Sequence, residues 1–392
     1  MKAAAVLDLG SDTIKAGFSS SQCPQYILPN ILSRPSDSKS RFLCCDKAIS
    51  YEYDSNISYP LQKTNVSNWE DQCHILDYVF NSKLKINPKE YKLMITESPL
   101  VNRKQRRKTI EIFFEEYSIP SLYIIPESLS ALCGADLTSG TIIEIGQNAT
   151  RVVSIIDHKI VPKSCAHIKV GGADITYRLM KLLQLRKFKL PDVEDPSDLQ
   201  TKVFINEFKE NHCHVSKNIV RQRSLYDTNP VQFSTYTTKN GSTIKLHGEI
   251  YEPAEVLFDP SLVGMEGPGL IPTLFTNIAK ITDDNALRSQ ITKNVILSGG
   301  TALMNGLPER VTLDIKQLIK SEIAGQNKYN LNENLIPEVE SFPHSNVLVY
   351  AGAAITAHNY LPHDEYWSSL ADYHNDGSDS IVRRFKTSTL RQ

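Results

Sequence analysis

The sequence predicts an α/β protein of two related lobes, and three observations lead to this prediction. A strand, a polar turn with a glycine and a second strand make up residues 3–18, and a similar unit recurs at 141–156. A third glycine turn, Gly299-Gly300, follows an apolar strand and precedes a helical pattern. Helical stretches separate these strands, which is typical of α/β proteins. The repeated hairpin therefore indicates two halves that open in the same way.

The elements follow from local patterns along the chain. Ala3–Leu7 is a short apolar run, and the polar turn around Gly10 leads to a second strand at 13–18. Asn68 is predicted to cap a helix whose apolar side chains recur at helical spacing. Further helices are predicted at 103–117, 172–185 and 307–319, and irregular or partly loose segments at 34–60, 186–200 and 375–392.

Composition excludes several classes of protein. The 392 residues include 43 Lys+Arg and 44 Asp+Glu, so the formal net charge is −1. This balance provides no strong attraction to nucleic acid or to anionic membranes, and neither is expected as a direct partner. The chain has no apolar run of about 20 residues and no signal-peptide pattern at its start. Seven scattered cysteines without a CxxC pair argue against a disulfide scaffold. We therefore expect an intracellular protein.

The residues in the three turns are suited to binding a nucleotide. Gly10 allows close approach of the backbone, Ser11 offers a hydroxyl and Lys15 offers a positive charge to phosphate. Asp8 could hold a divalent cation through water, because Mg²⁺ usually keeps several of its waters. Two such hairpins that face each other would hold a polyphosphate, and the Gly299-Gly300 turn would leave room for a nucleoside. Each turn alone is more often an ordinary hairpin, so the prediction depends on all three together.

Short motifs spread over almost the whole chain resemble landmarks of the actin superfamily. They are Asp8-Leu9-Gly10-Ser11 with Lys15-Ala16-Gly17-Phe18, Val66–Asp71, Ile95–Leu100, Phe114–Tyr117, Gly172–Thr176, Pro253–Phe258 with Pro260-Ser261, Gly264-Met265-Glu266 and Leu297–Thr301. The resemblance implies the α/β ATPase fold that actin shares with heat-shock chaperones and sugar kinases. In that fold two lobes of duplicated α/β subdomains surround a nucleotide cleft.

The resemblance also implies four discontinuous subdomains. Residues 1–29, 60–134 and 347–392 are assigned to subdomain 1, and 30–59 to a shortened subdomain 2. Residues 135–170 and 264–346 are assigned to subdomain 3, and 171–263 to subdomain 4. Subdomain 2 of actin carries the loop that clasps the next filament subunit, so its shortening here argues against ordinary polymerisation.

Within the superfamily the chain is most similar to an actin-related subunit of the complex that nucleates branched actin filaments. The 301–350 segment is longer than in conventional actin. Its length and the Gly306-Leu307-Pro308 sequence near its start are similar to those of that subunit. Its polar part, 320–342, is a candidate partner contact, and the sequence leaves open whether it packs on the body or on a neighbour. The implied partners are the other subunits and actin, in the cytoplasm and cytoskeleton. Two alternatives stay open: a scaffold subunit of a chromatin-remodelling complex, with a nuclear location, and an independent actin-fold ATPase.

The resemblance assigns site residues and implies ATP or ADP with Mg²⁺ as cofactor. The assigned phosphate-binding residues are Gly10, Ser11, Lys15, Gly146, Gln147 and Asn148. The assigned nucleoside-binding residues are Gly172, Lys209, Glu210, Gly299, Gly300, Thr301 and Met304. Asp8 is assigned to Mg²⁺ through water.

Four positions depart from the pattern that the resemblance implies for hydrolysis. In the second phosphate loop Glu144 and Gln147 stand where actin has aspartates. Glu127 aligns with the glutamine that positions water in actin, and Arg151 aligns with the catalytic histidine. We therefore expect nucleotide binding with slow or absent hydrolysis, because loss of water-orienting groups damages the reaction more than the binding.

A simpler interpretation of the same residues is also open. Glu144 and Arg151 would form a cross-strand ion pair that braces the hairpin. Glu127 would lie in the first turn of a helix, where an acid is favoured. On that interpretation the protein is a nucleotide-free scaffold with the shape of actin.

Overall fold

A computed structural model describes residues 2–36, 42–50, 55–62, 65–185, 199–228, 234–237, 243–282 and 284–385. In chain order the described strands are β1 Ala5–Leu9, β2 Thr13–Phe18, β3 Tyr26–Pro29, β4 Leu32–Pro35, β5 Leu43–Cys44, β6 Ser55–Ser58, β7 Leu61–Gln62, β8 Asn65–Val66, β9 Leu93–Glu97, β10 Ser121–Pro126, β11 Gly140–Ile145, β12 Thr150–Ile156, β13 Lys159–Ile160, β14 Ala166–Ile168, β15 Ser234–Thr237, β16 Thr243–Leu246, β17 Val295–Ser298, β18 Val339–Ser341 and β19 Ser368–Ser369. The described α-helices are α1 Asp46–Ile49, α2 Trp69–Asp77, α3 Arg103–Glu111, α4 Glu127–Gly134, α5 Gly172–Leu185, α6 Leu199–His212, α7 Ile219–Thr228, α8 Leu270–Lys280, α9 Asn285–Lys293, α10 Leu307–Ala324, α11 Leu348–Tyr360 and α12 Leu370–Arg384.

The first lobe is built on a six-stranded sheet with the order β19-β10-β9-β1-β2-β3. β1 and β2 form the predicted hairpin, in which Leu7 stands opposite Ala16. β1 also pairs in parallel with β9, and β9 pairs in parallel with β10. The strands of the β1–β2 hairpin are largely buried, since the sheet lies inside the largest apolar core of the described chain.

The second lobe repeats this plan. Its sheet has the order β13-β12-β11-β17-β18, and β14 adds to β12. β11 and β12 form the second predicted hairpin, and β11 pairs in parallel with β17, the strand before the Gly299-Gly300 turn. The fold is thus mixed α/β, as predicted, and its two sheets each place an antiparallel hairpin beside a parallel strand.

A pair of helices, α4 and α11, joins the two lobes. Leu129 of α4 and Leu348 of α11 pack against the second sheet, whereas Tyr350 further along α11 lies in the core of the first. The helices approach closely at Gly352, where a Cβ would overlap the carbonyl oxygen of Ser130. This pair therefore fixes how the lobes meet.

Most predicted helices are confirmed, some with different ends. The helix predicted at 172–185 has those bounds, and the side chain of Asn68 caps α2 by accepting a hydrogen bond from the N–H of Asp71 (3.1 Å). α2 and α3 each end in a π-helical segment, Tyr78–Leu84 and Ile112–Glu116. The helix from Leu307 continues to Ala324 and not only to residue 319.

Two segments predicted to be irregular contain regular structure. The 34–60 region includes the end of β4, then β5, α1 and β6, and β4 pairs with both other strands. The tail from 375 was predicted to be partly loose, but α12 reaches Arg384 because Ile381 and Val382 are buried in the first core. Residues 386–392 and 186–198 of the predicted loose segments lie outside the described residues.

The polar 320–342 segment packs on the body of its own chain. Leu331 and Leu335 are buried in the core of the second lobe, and the Tyr329 ring lies 5.9 Å from that of Phe275. Within the described residues, no helix is both long and apolar enough to span a bilayer.

Candidate functional site

A cavity of about 440 Å³ lies where the three glycine turns meet. The first hairpin brings its turn from one sheet, and the second hairpin and the Gly299-Gly300 turn bring theirs from the other. Of the predicted site residues, Asp8, Gly10, Ser11, Lys15, Glu127, Glu144, Gly146, Gln147, Asn148, Arg151, Lys209, Glu210, Gly299, Gly300, Thr301 and Met304 line this cavity. The structure therefore brings together all of them except Gly172.

The first turn places one acid and one base side by side. Asp8 and Lys15 stand opposite each other on β1 and β2, and Asp8 Oδ2 lies 3.3 Å from Lys15 Nζ. The other carboxylate oxygen, Asp8 Oδ1, accepts a hydrogen bond from Thr96 Oγ1 at 2.6 Å. Asn30 fixes the turn itself, because its Nδ2 donates to the carbonyl of Gly10 at 3.0 Å.

The second turn is held from behind by the start of α5. The N–H of Gly172 donates to the carbonyl of Gly146 at 2.9 Å, and the N–H of Ala173 donates to that of Gln147 at 2.8 Å. A Cβ on Gly172 would lie 2.8 Å from Gln147 Oε1 and 3.0 Å from Thr301 Oγ1. Gly172 thus lies just outside the cavity wall and lets these two lining side chains come together.

The two turns present unpaired backbone donors to the cavity. Among the hydrogen bonds of the described residues, the N–H groups of Ser11, Asp12, Gln147 and Asn148 have no acceptor. Backbone N–H groups gathered in turns form concave sites for anions. Lys15 adds a positive charge beside them. The donor set therefore fits a phosphate chain.

Asp8 also fits its predicted role toward a hydrated cation. A carboxylate has about four lone-pair sites, and Thr96 and Lys15 occupy two of them. The remaining sites can accept hydrogen bonds from water bound to Mg²⁺, which prefers oxygen ligands and retains its waters.

The third turn is supported by a serine that stands close to it in space but not in sequence. Gly299 has a φ of +97°, and its N–H donates to the carbonyl of Ser345 at 2.9 Å. Ser345 Oγ in turn donates to the carbonyl of Leu297, also at 2.9 Å. At Gly300 no atom lies within 4 Å of the position that a Cβ would take, so the backbone there faces open space.

Lys209 is a buried lysine in the wall of the cavity. Its Nζ donates to Thr176 Oγ1 at 2.9 Å and to the carbonyl of Gly172 at 3.2 Å. Burial lowers the pKa of Lys209, and the charges of Glu210 and Asp12 only partly oppose this effect. The contact with Gly172 links Lys209 to the start of α5 and hence to the second turn.

Arg151 binds two of the other residues that depart from the family pattern. Its Nη1 lies 2.7 Å from Glu144 Oε1 and 3.1 Å from Glu127 Oε2; Arg151 and Glu144 are buried, and the Glu127 side chain is 12% exposed. Glu144 and Arg151 are opposite each other on β11 and β12. Glu127 is the first residue of α4. The predicted cross-strand ion pair and the predicted place of Glu127 in a first helical turn are both confirmed.

Arg151 supplies one positive charge to two carboxyl groups, those of Glu127 and Glu144. Burial, followed by the negative charge of Glu144, raises the pKa of Glu127 well above its usual range, although Arg151 acts in the opposite direction. Burial alone would lower the pKa of Arg151, but the charges of Glu144 and Glu127 raise it. We infer that Glu127 retains a proton at a pH where exposed glutamates have lost theirs.

Sequence reasoning assigned no role to two residues that position the site, Thr96 and Asn30. Thr96 belongs to the Ile95–Leu100 motif, but its contact with Asp8 follows from the register of β1 and β9, in which Leu7 stands beside Ile95. Asn30 is brought in by tertiary packing, and no local pattern marks it.

The Actin family profile matches residues 1–386. Actin-related protein 2 of Drosophila melanogaster is 30% identical over 398 residues, which cover 98% of each chain. Actin-related protein 2 of Acanthamoeba castellanii is 29% identical over 389 residues and covers 97% of this chain and 98% of its own. Actin-related protein 2 of Arabidopsis thaliana is 29% identical over 385 residues and covers 96% of this chain and 97% of its own. With its duplicated hairpins and its cleft at the three turns, the chain belongs to the actin family.

Proposed function

We propose that this chain is an actin-related subunit of a multi-protein cytoskeletal complex that nucleates branched actin filaments together with actin. The observation that carries the proposal is its similarity to three Actin-related protein 2 chains over nearly the whole length of each. On this proposal the protein acts in the cytoplasm, as part of the cytoskeleton. Its contribution is a shaped surface, and the cleft regulates that surface.

The cleft is proposed to bind ATP or ADP with Mg²⁺. Ser11, Lys15, Gln147 and Asn148 would hold the phosphates, and Asp8 would hold Mg²⁺ through water. The proposed nucleoside-binding residues are Gly172, Lys209, Glu210, Gly299, Gly300, Thr301 and Met304, with Gly172 acting through the side chains in front of it. The unpaired N–H groups of the first two turns support this assignment.

Hydrolysis in this cleft is proposed to be slow or absent. Bound nucleotide supplies a phosphoanhydride bond, and its cleavage requires a water molecule that the protein orients. The resemblance gives that task to the positions of Glu127 and Arg151. Here the two side chains bind each other, and Glu144 binds Arg151 as well. Groups engaged in a buried ion pair are poorly placed to orient water.

The division into four subdomains is also proposed. Residues 1–29, 60–134 and 347–392 would form subdomain 1, and 30–59 a shortened subdomain 2. Residues 135–170 and 264–346 would form subdomain 3, and 171–263 subdomain 4. The composition of the two sheets supports subdomains 1 and 3, because each sheet takes its strands from those discontinuous ranges.

Equilibrium binding of labelled ATP with Mg²⁺, followed by measurement of phosphate release, tests the cleft. We expect saturable binding, which Lys15→Met weakens, and little phosphate release. The triple variant Glu127→Gln, Glu144→Asp, Arg151→His places at these three positions the residue types that the resemblance implies. It should release phosphate faster than the unmodified chain. Absence of binding at millimolar nucleotide would sink the proposal for the cleft. Fast release by the unmodified chain would sink the proposal for hydrolysis.

Affinity purification of the tagged full-length chain from its own cells tests the complex. Recovery of a complex that nucleates branched filaments on purified actin supports the proposal. Recovery of a large remodelling helicase in its place would assign the chain to the chromatin alternative.

A further inference from the structure

The cavity at the three turns extends beyond them into the first lobe. This extension, called the side chamber below, is lined by the apolar side chains of Leu61, Val66, Trp69, Leu76, Val101 and Phe113. None of these residues belongs to the three turns or was assigned to nucleotide. The side chamber is therefore a separate part of the cavity with a different chemical character.

Two helix faces form much of its wall. Trp69, Gln72 and Leu76 are three and four residues apart along α2, so they lie on one face. Gln105 and Thr109 are four residues apart on α3, and Phe113 follows another four residues later in the π-helical segment. The strands β7 and β8 supply the remaining wall with Leu61 and Val66. The side chamber is thus built on regular elements, which hold their side chains in defined positions.

The entrance side is tied together by a side-chain contact. Asn102 Nδ2 donates to Asn65 Oδ1 at 3.2 Å, which joins the start of α3 to β8. Asn102 precedes α3 and also caps it, since its Oδ1 accepts from the N–H of Gln105 at 2.8 Å. The residue before Val66 and the residue after Val101 are therefore held by a contact within the protein.

The charged groups at the side chamber neutralise each other. Glu97 and Arg106 form an ion pair whose side chains are largely buried. Burial raises the pKa of Glu97, and the positive charge of Arg106 acts in the opposite direction. A charged ligand would find no free counter-charge there and would lose its hydration. The side chamber favours an uncharged ligand.

Gln72 supplies an unused hydrogen-bond donor. The residue is 2% exposed, and its Nε2 has no partner among the described residues. Its orientation is fixed by Asn30, whose Nδ2 donates to the Gly10 carbonyl and also lies 3.5 Å from Gln72 Oε1. If the amide oxygen and nitrogen of Gln72 were exchanged, its Nε2 would face Asn30 Nδ2, and two donors would meet without an acceptor. A buried donor without a partner is costly, and an acceptor on a ligand would remove that cost.

From these observations we propose that the side chamber binds a neutral, largely apolar ring compound that carries one hydrogen-bond acceptor. The ring lies among the apolar side chains, beside Trp69, and the acceptor meets Gln72. The compound occupies the first lobe only, so this proposal stands independently of nucleotide binding.

Contact quenching of tryptophan fluorescence tests the proposal, because the chain has only two tryptophans. Trp367 is buried in the first core and does not line the cavity, so Trp69 is the reporter. The probe is 4-bromoacetophenone, a neutral ring with a carbonyl acceptor. We expect saturable quenching in the full chain and none in Trp69→Phe. Quenching that rises linearly without saturation, as for free tryptophan, would overturn the proposal.

Variants that fill the side chamber show where the probe binds. Val101→Phe and Val66→Phe both narrow the side chamber, and each should weaken binding by about tenfold. Two positions are tested so that at least one variant folds. Val66 is half-buried on a strand and should tolerate the larger side chain even if Val101→Phe does not fold. Leu313→Phe, at an exposed position on α10, is the matched control and should bind normally. Unchanged binding by a folded filling variant would place the probe elsewhere and refute the site.

Gln72→Leu separates the hydrogen bond from the apolar contacts. It should weaken 4-bromoacetophenone by roughly fivefold or more, since a buried hydrogen bond is lost. It should leave the binding of 4-bromotoluene, which has no acceptor, unchanged. Equal effects on the two compounds would remove the assigned role of Gln72.

Discussion

Glu144 and Arg151 stand opposite each other on the two strands of the second hairpin, and their side chains are joined by a contact of 2.7 Å. The same guanidinium group also contacts Glu127 at 3.1 Å. One cation thus contacts one oxygen of each of two carboxyl groups that come from different elements of the fold.

Removing Arg151 should destabilise the protein strongly. Arg151→Met leaves Glu144 buried without a counter-charge and removes the contact of Glu127, and loss of one partner of a buried pair costs about 3–5 kcal/mol. Urea unfolding at neutral pH measures the loss. Arg107→Met is the matched control, because its partner Asp379 is well exposed and the change should be small. Equal effects of the two substitutions would show that the buried group does not stabilise the fold.

The raised pKa of Glu127 should make stability fall as pH rises. Between the ordinary glutamate pKa of 4.5 and the raised pKa in the folded chain, the folded state holds a proton that the unfolded state has lost. Folding then binds a proton, so the free energy of unfolding decreases with increasing pH across that interval. Glu127→Gln removes this dependence, and its urea unfolding curves from pH 5 to about pH 8 should show a shallower slope than the unmodified chain. A parallel slope would contradict the assignment of the retained proton to Glu127.

Gly352→Ala should lower stability although alanine favours helices. In an isolated helix the change would stabilise by up to about 1 kcal/mol. In α11 the added methyl group would overlap the carbonyl of Ser130 on α4, and overpacking costs about 1–3 kcal/mol. Thermal unfolding gives the sign of the change in stability. An increase in melting temperature would show that α4 and α11 can move apart freely.

Gly300→Ala should affect ligand binding without affecting folding. Nothing lies within 4 Å of the position of the new methyl group, and the residue lines the cavity. The methyl group would therefore occupy space proposed for the nucleoside, and labelled ATP should bind more weakly to a protein of unchanged stability. Gly299→Ala is the contrast: its φ of +97° and its contact with the carbonyl of Ile145 predict a folding defect. Normal ATP binding by Gly300→Ala would argue against a nucleoside at this turn.

The sequence predicted the two hairpins and the glycine turns well because each depends on local chemistry. Apolar runs on both sides of a polar glycine turn specify a hairpin without help from the rest of the chain. The same holds for the cap at Asn68 and for the bounds of α5. Where these turns meet, the predicted residues line one cavity.

The residues that support the site depend on contacts between distant segments, which local patterns do not contain. Ser345 holds the Gly299 turn from 46 positions further along the chain. The tail from 375, which ends in basic residues, was predicted to be partly loose, yet α12 forms by packing on the first core. The sequence did not decide how 320–342 packs either, because a few scattered apolar residues, such as Leu331 and Leu335, anchor a mostly polar segment.

The position of Arg151 also bears on how far the lobes can open. Glu127 directly follows β10 of the first sheet, whereas Arg151 belongs to the second. The contact between Arg151 and Glu127 therefore ties the end of β10 to the second sheet. Separating the lobes at this point requires breaking that ion pair, so the chain carries its own brace between them.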